Sequence, residues 1–441
     1  MRFMFNHSFC RTPYGDRQPT EPVQWMLRTA PPVATSGSAT TRCKGVWTRR
    51  RVARAAALLG IATTASAASG GGMVPAGSTT LEKHGQSPFA ACARPDIAAL
   101  IRDKYADLGG WPSRDKLPVV YNERYNIGFF GLERLHPFDS KKFQRVLALL
   151  EQAGVLHRGQ LVTAAEAGHD ALREVHTEQY LRQLNGSPLK VAQVTELAPL
   201  MLLPPPLLRY KVLRPMATMA GGSMLGAALA MERGWAINLG GGMHHASYND
   251  GGGWCPYSDI TLALRRLRAT SGGALRRVLV VDLDVHQGNG MERDKLAAGD
   301  QDLYILDAYN RRAYPWDAEA KQAIDQRVEL EPGTRDEEYL AGVAGALGRA
   351  FADFSPELLI YNAGTDILDG DPLGRLCVSE AGVVERDRLV WAAAAQHRVP
   401  ILMLLSGGYT RASTPVIAHS IQALFEHFEL ADEPMASNAR S

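Results

Sequence analysis

Cysteine is scarce and badly placed for cross-linking. The 441-residue chain has five, Cys10, Cys43, Cys92, Cys255 and Cys377, with no CxxC pair and no regular spacing. That argues against a disulfide scaffold and against a structural zinc site of the finger type. Long apolar runs are also lacking. The best one, "AAALLGIATTASAAS", is far too short to cross a bilayer as a helix. There is no internal repeat. A basic excess is missing from the body of the chain. Residues 1–80 hold ten of the 48 Lys and Arg but only Asp16 and Glu21 of the 46 acidic residues, so residues 81–441 carry a net charge of −6. Phosphate binding uses the opposite balance, so no direct nucleic-acid binding is expected.

Acidic residues are absent from Pro22 to Leu81, and Ser, Thr, Ala and Arg dominate there. This composition suits an organellar transit peptide. Inside it, "RRRVARAAALLGIATTASAAS" sets Arg49, Arg50, Arg51 and Arg54 before a short apolar run and small residues at Ala65 and Ala67. A second import signal has that layout, and a disordered tail is the other reading. The expected organisation is a targeting or disordered extension over 1–88, a short helical lead-in over 89–116, one main domain over 117–430, and a tail over 431–441. "DIAALIRDKYADLGGWP" reads as one short helix closed by Gly109 and Gly110.

What is present is ordinary in bulk, with 46% hydrophobic and 21% charged residues. The second half has a rhythm. Short apolar runs recur in "WAINLGG", "RVLVVDLDVH", "DLYILDAY", "ELLIYNAGTD" and "VPILMLLSGGY". Stretches with helical spacing lie between most of them, with Ser379 as an N-cap and Gly234 as a helix stop. Buried strands alternating with helices predict an α/β domain, a largely parallel sheet with helices on both faces. Each strand ends in a polar or glycine-rich cluster. In such sheets ligands bind at the carboxyl ends of the strands.

In "VVDLDVHQGNG", extended alternation would put Asp282, Asp284 and His286 on one face. A carboxylate and an imidazole two residues apart can chelate one ion, and oxygen with nitrogen suits catalytic zinc, or iron or manganese. Asp366 is the better third ligand because it follows a strand directly, whereas Asp369 and Asp371 sit in a turn-like segment. Tyr409, after two glycines, is a candidate donor to an oxyanion. His244 and His245 in "GGGMHHAS" are then left to handle protons. If both were ligands, five protein groups would crowd out water.

These residues resemble those of zinc-dependent histone deacetylases, and within them the class IV group. The likeness runs from about Leu117 to about Phe428. It rests on "RLHPFDSKKF", "KVLRPMATMAGG", "MERGWAINLGGGMHHAS", "GGGWCPYSDITLA", "DLDVHQGNGMERD", "YNAGTDILDGDPLG" and "VPILMLLSGGY". It implies the arginase/deacetylase α/β fold and removal of acyl groups from lysine, acetyl or long-chain fatty acyl. One Zn2+ would be held by Asp284, His286 and Asp366. His245 would be the general base, His244 its proton-holding partner backed by Asp282, and Tyr409 the carbonyl-polarising phenol. Gly253 and Trp254 would line the acyl channel, with Tyr314 as the opposite wall. A structural K+ would sit near Asp282, Asp284, His286 and Asp307. Asn289 stands where class I relatives place an aspartate, so His245 should have a lowered pKa. Cys255 reads as a packed thiol.

The rivals are a small-molecule amidohydrolase of the same fold, acting on acetylpolyamine-like substrates, a two-metal ureohydrolase, and a non-catalytic acyl-lysine binder. Partners would be acyl-lysine proteins, histones or organellar ones. The family implies nucleus or cytoplasm. A transit peptide implies plastid or mitochondrion.

Overall fold

The computed structural model describes residues 87–431, apart from 129–130 and 136–137. The expected targeting segment over 1–80 lies outside the described residues, as does all but the first residue of the expected tail. Among the described residues, seven parallel strands form one sheet in the order β1-β2-β7-β6-β3-β4-β5. They are β1 (Val119–Val120), β2 (Trp235–Asn238), β3 (Val278–Asp282), β4 (Leu303–Asn310), β5 (Gln326–Leu330), β6 (Leu358–Asn362) and β7 (Ile401–Leu404). Helices of ten or more residues are labelled α1 (Lys142–Gln152), α2 (Arg214–Arg233), α3 (Asp259–Thr270), α4 (Asn289–Ala298), α5 (Asp336–Asp353), α6 (Glu380–Gln396) and α7 (Ser413–His427).

The central strands are apolar on both faces for a structural reason. Every residue of β3, β6 and β7 is buried, because helices flank the sheet. α2 packs on β2 and on α3, while α5 packs on β4 and β5 and touches α6. Burying each Val, Leu or Ile contributes on the order of 1.5–3 kcal/mol. Ser379 Oγ caps α6 by accepting from Gly382 N at 3.1 Å, and Gly234, at φ 82°, ends α2.

Register places the site. Asn238 pairs with Leu404, Leu404 with Asn362, Asn362 with Asp282, and Asp282 with Asp307. These residues form one row, at the carboxyl ends of β2, β7, β6 and β3 and within β4. The chain leaves β3 towards β4 on one side, and leaves β6 towards β7 on the other. A crevice opens where neighbouring connections diverge in this way. Asp284 and His286 follow β3, and Asp366 follows β6, so the crevice receives all three.

Three expectations need correction. Two strands were not anticipated. β1 is only two residues long, and β5, "QRVEL", is an edge strand with alternating exposure and charged side chains. The lead-in is not one helix. An α-helix over Pro95–Ile101 passes into a 3-10 helix over Arg102–Leu108, with Tyr105 off helical geometry at φ −113°. Nor does β3 carry Asp282, Asp284 and His286 by extended alternation, since the strand stops at Asp282. Beyond it, Asp284 N donates to Asp282 Oδ1 at 3.2 Å and His286 N to Asp284 Oδ1 at 3.0 Å. Successive side-chain-to-backbone turns of this kind compete with the ladder and bend the chain into the crevice.

Candidate active site

The two histidines follow β2 on a tight turn. Gly241 and Gly242 take φ 74° and 83°, a region that only glycine enters without strain. Asp259, at the start of α3 and fully buried, fastens the turn. Its carboxylate accepts from Gly242 N at 2.9 Å and from Met243 N at 2.7 Å. Sequence reasoning missed Asp259, although it lies in "PYSDITLA". The turn brings the His244 and His245 rings to 4.2 Å between centroids.

Their partners differ. His244 Nδ1 lies 2.8 Å from Asp282 Oδ2, and its Nε2 lies 3.6 Å from Asp284 Oδ1. Burial disfavours the charged ring, but Asp282 and Asp284 outweigh it and push the His244 pKa up to about 9. His245 Nδ1 lies 2.8 Å from Asn289 Oδ1. Asn289 Nδ2 donates to Asp317 Oδ2 at 3.2 Å, which orients the amide oxygen towards the ring. His245 Nδ1 is therefore the donor, and Nε2 keeps a lone pair. The His245 pKa falls well below the usual imidazole value. The expectation attributed such a fall to the missing carboxylate. Burial is the main cause, followed by the charges of His244 and His286, while the Asn289 hydrogen bond works the other way.

Asp284, His286 and Asp366 form the other half. One ligand atom from each lies within 4.8 Å of the others, and all three residues are buried. His286 Nδ1 is 2.9 Å from Asp284 Oδ1 and 3.1 Å from Asp366 Oδ2. Asp284 Oδ2 accepts from Ser406 Oγ and Gly407 N, both at 2.9 Å. Asp366 Oδ1 accepts from Val285 N at 2.9 Å, whereas Oδ2 has only His286 Nδ1 near it, out of hydrogen-bond geometry. Burial and then the Asp284 charge raise the Asp366 pKa to about 7. A Cβ on Gly407 would come within 2.4 Å of both Asp284 Oδ2 and Asp366 Oδ2. Two dry carboxylates aimed at one point, one of them with an orphaned oxygen, call for a cation. The donor set, two oxygens and a nitrogen, fits a divalent metal with coordination positions to spare.

Tyr409 reaches the same cavity from the loop after β7. Its backbone N–H donates to Asp371 Oδ2 at 2.9 Å, and its ring sits 5.7 Å from that of His286. Burial, then Asp284 and Asp366, hold the phenol pKa well above its usual value, so the hydroxyl keeps its proton. Asp371 was read as part of a turn-like segment. It is buried, and besides capping Leu373 N and Gly374 N it ties down the Tyr409 backbone.

Gly253, Trp254 and Cys255 line the cavity with both histidines, Asp284 and Tyr409. A Cβ on Gly253 would lie 2.4 Å from His245 Cδ2, so only glycine fits there. The ring facing Trp254 is Phe138, stacked at 5.5 Å and 28°. Tyr314 was expected as the opposite wall, but it packs edge-on against His245 at 5.0 Å. Phe138 went unnoticed inside "HPFD". The Cys255 thiol is buried and points at Gly253 O, 3.3 Å away. Ile127, Phe143, Met216, Met219 and Met243 add apolar surface to the same cavity. Asp307 accepts from Gly288 N at 2.9 Å.

Comparison with known proteins bears on the family and the fold. A family model described as "Histone deacetylase domain" matches residues 136–425. The chain is 47% identical over 313 residues to "Histone deacetylase 2" of Arabidopsis thaliana, covering 70% of this chain and 79% of that one. It is 27% identical over 306 residues to "Acetoin utilization protein AcuC" of Staphylococcus aureus, covering 67% and 77%. In fold it is similar to the crystal structure of the HDA15 HD domain, with TM-score 0.57, 23% identity, and 73% and 90% coverage. It is also similar to a histone deacetylase homologue complexed with SAHA, with TM-score 0.54, 20% identity, and 72% and 85% coverage. With a matched domain that spans most of the described residues and a relative nearly half identical to it, this chain belongs to the histone deacetylase family.

Proposed function

We propose that this protein is a zinc-dependent lysine deacylase of the class IV group, hydrolysing the amide of N6-acyl-lysine. The observation that carries the reading is the meeting of three groups in one cavity: the ligand cluster, the histidine pair and a protonated tyrosine. Asp284, His286 and Asp366 would hold the Zn2+, which supplies Lewis acidity towards the acyl carbonyl and towards water. His245, neutral and with Nε2 free, takes the proton from water as oxygen attacks the carbonyl carbon. His244 holds positive charge beside it, fixed by Asp282. The Tyr409 hydroxyl donates to the oxygen that becomes negative. The carbon–nitrogen bond then breaks, and the proton taken from water passes to the departing lysine amine. The products are a carboxylate and free lysine.

Phe138 and Trp254 would grip the extended lysine stem. The apolar lining from Ile127, Phe143, Met216, Met219 and Met243 supports acyl chains longer than acetyl as well as acetyl itself. A monovalent cation, K+, near Asp282, Asp284, His286 and Asp307 belongs to the same reading. Its support is the cluster of buried acids Asp282, Asp307 and Glu292, where burial and then the charges of Asp282 and Glu292 raise the Asp307 pKa well above its usual value.

Substrates would be acyl-lysine proteins, histones in the nucleus or other proteins in a plastid or mitochondrion if residues 1–80 direct import. No helix among the described residues is long and apolar enough to cross a membrane. An acetylpolyamine-type amidohydrolase is the second reading, favoured by the AcuC likeness, which extends the family beyond proteins named for histones. One assay separates the readings. The purified chain is offered acetyl-lysine and fatty-acyl-lysine peptides beside acetylated polyamines, with metal content measured. Turnover of the peptides with one zinc per chain is expected. Turnover of polyamines alone, or two manganese per chain, overturns the proposal. Imaging full-length chain beside one lacking residues 1–80 tests the compartment.

A further inference from the structure

Helix α6 carries a buried ion pair that the reaction does not use. Arg386 is 0% exposed and Asp387 is 2% exposed. Arg386 Nε donates to Asp387 Oδ1 at 2.8 Å. Asp387 also accepts from the Tyr361 hydroxyl and from Ser420 Oγ, which anchors it between β6 and α7. The rest of the guanidinium turns to backbone. Nη1 donates to Leu283 O at 3.4 Å and to Gly364 O, and Nη2 donates to Ala363 O at 3.4 Å.

Those three carbonyls have one thing in common. Leu283 immediately precedes Asp284, and Ala363 and Gly364 lead into Asp366. Both segments have left their strands at this point, since β3 ends at Asp282 and β6 at Asn362. Their carbonyls are buried and need donors that the sheet no longer supplies. The guanidinium spreads its donors over a planar fork and serves four acceptors, Asp387 and the three carbonyls, where a lysine has three donors on a single atom. Two other bonds tie the segments: Leu283 N donates to Asn362 O at 3.0 Å, and Val285 N to Asp366 Oδ1 at 2.9 Å.

We infer that Arg386 is a positioning residue for the metal: it holds the Asp284 and Asp366 segments at their ligating separation before any ion arrives. The inference rests on the metal reading above and adds a residue that touches neither ion nor substrate.

The test is metal affinity of the full-length chain after chelation. Zn2+ is titrated against a fluorescent chelator, and Co2+ by its visible absorption. Arg386→Lys keeps the charge beside Asp387 but loses the planar fork. The pair Arg386→Met with Asp387→Asn removes both charges, so neither is stranded. Both are expected to weaken metal binding by about 10–100-fold, as loss of groups behind a ligand commonly does. They should also alter the Co2+ spectrum. Leu389→Ala, a core truncation on the same helix, should lower the melting temperature while metal affinity stays at the wild-type value. Wild-type affinity in a folded Arg386→Lys protein overturns the inference, as does an equal loss of affinity in Leu389→Ala. If neither Arg386 variant folds, hydrogen exchange on the chelated wild type decides. The amides of Leu283, Val285 and Ala363 should stay protected without metal, and open-loop exchange rates there overturn the inference. A wild type that binds neither metal overturns the metal reading and this inference together.

Discussion

His245 Nδ1 lies 2.8 Å from Asn289 Oδ1, and the same amide donates through Nδ2 to Asp317 at 3.2 Å. Asp317 is in turn gripped by Arg293, with Nε at 2.6 Å and Nη2 at 2.9 Å. The base is thus oriented by an uncharged group, and the nearest carboxylate on that side is one step further out and already paired. Asn289→Asp would put a negative charge against the ring. A carboxylate favours imidazolium, so the His245 pKa should rise, by roughly 1–2 pH units. The acidic limb of kcat/KM against pH should move to higher pH by the same amount. An unmoved limb would mean that His245 is not the group titrating there.

Tyr409→Phe removes one hydrogen-bond donor from the reaction centre. Its ring contact with His286 is kept, and its backbone bond to Asp371 does not need the hydroxyl. The expected loss is about 10²–10³-fold in kcat, with KM and zinc content near wild type. Asp371→Asn should lower kcat less. Steady-state kinetics with metal analysis on both proteins checks this, and near-normal turnover by Tyr409→Phe would count against the phenol's role.

The acyl-length proposal makes its own prediction. Met216 and Met219 belong to the apolar part of the cavity lining. Met216→Trp should take up space there. Hydrolysis of a long-chain acyl-lysine peptide should fall by at least about tenfold, as exclusion of several methylenes implies, while acetyl-lysine turnover is largely kept. Equal losses on both substrates would place the long chain elsewhere.

A buried histidine outside the reaction sets an acid limit on stability. His176 is 2% exposed and its Nε2 accepts from Ser258 N at 3.0 Å. Burial lowers its pKa to about 4, against the opposing influence of the nearby Ser247 and Tyr248 backbone. The unfolded chain therefore binds a proton more readily than the folded one. The penalty is absent above pH 6.5 and grows as pH falls, until it is complete near pH 4. Its size is about 3 kcal/mol at the low end. Denaturant unfolding between pH 7 and 4 should show this slope, and His176→Gln should flatten it. Parallel curves for the two proteins would disprove the assignment.

The parts legible in the sequence were those with a local cause. Apolar runs such as "VLVVD" and "LLIYN" mark strands buried on both faces, and Gly241 and Gly242 mark a turn only glycine makes. The residues DxDxH, GTD and GGY stood out because polar groups directly after apolar strands lack a packing explanation. β5 was missed because an edge strand with one wet face looks like a loop. Phe138, Asp259 and Asp317 were missed, and the hold of Asp371 on Tyr409 with them, because nothing near them in sequence distinguishes an ordinary aromatic or aspartate.

By itself, then, the sequence determined the parallel α/β sheet, the edge that carries the chemistry, and the residue types gathered there, since each follows from burial pattern and chain conformation over a few residues. Only the tertiary structure decided which partner each group meets. The facing of Trp254 by Phe138, the tethering of Tyr409 by Asp371, and the clamp from Arg386 onto Leu283, Ala363 and Gly364 join residues between 22 and 116 positions apart. Such pairs depend on strand order and register, and those are set by packing of the whole domain.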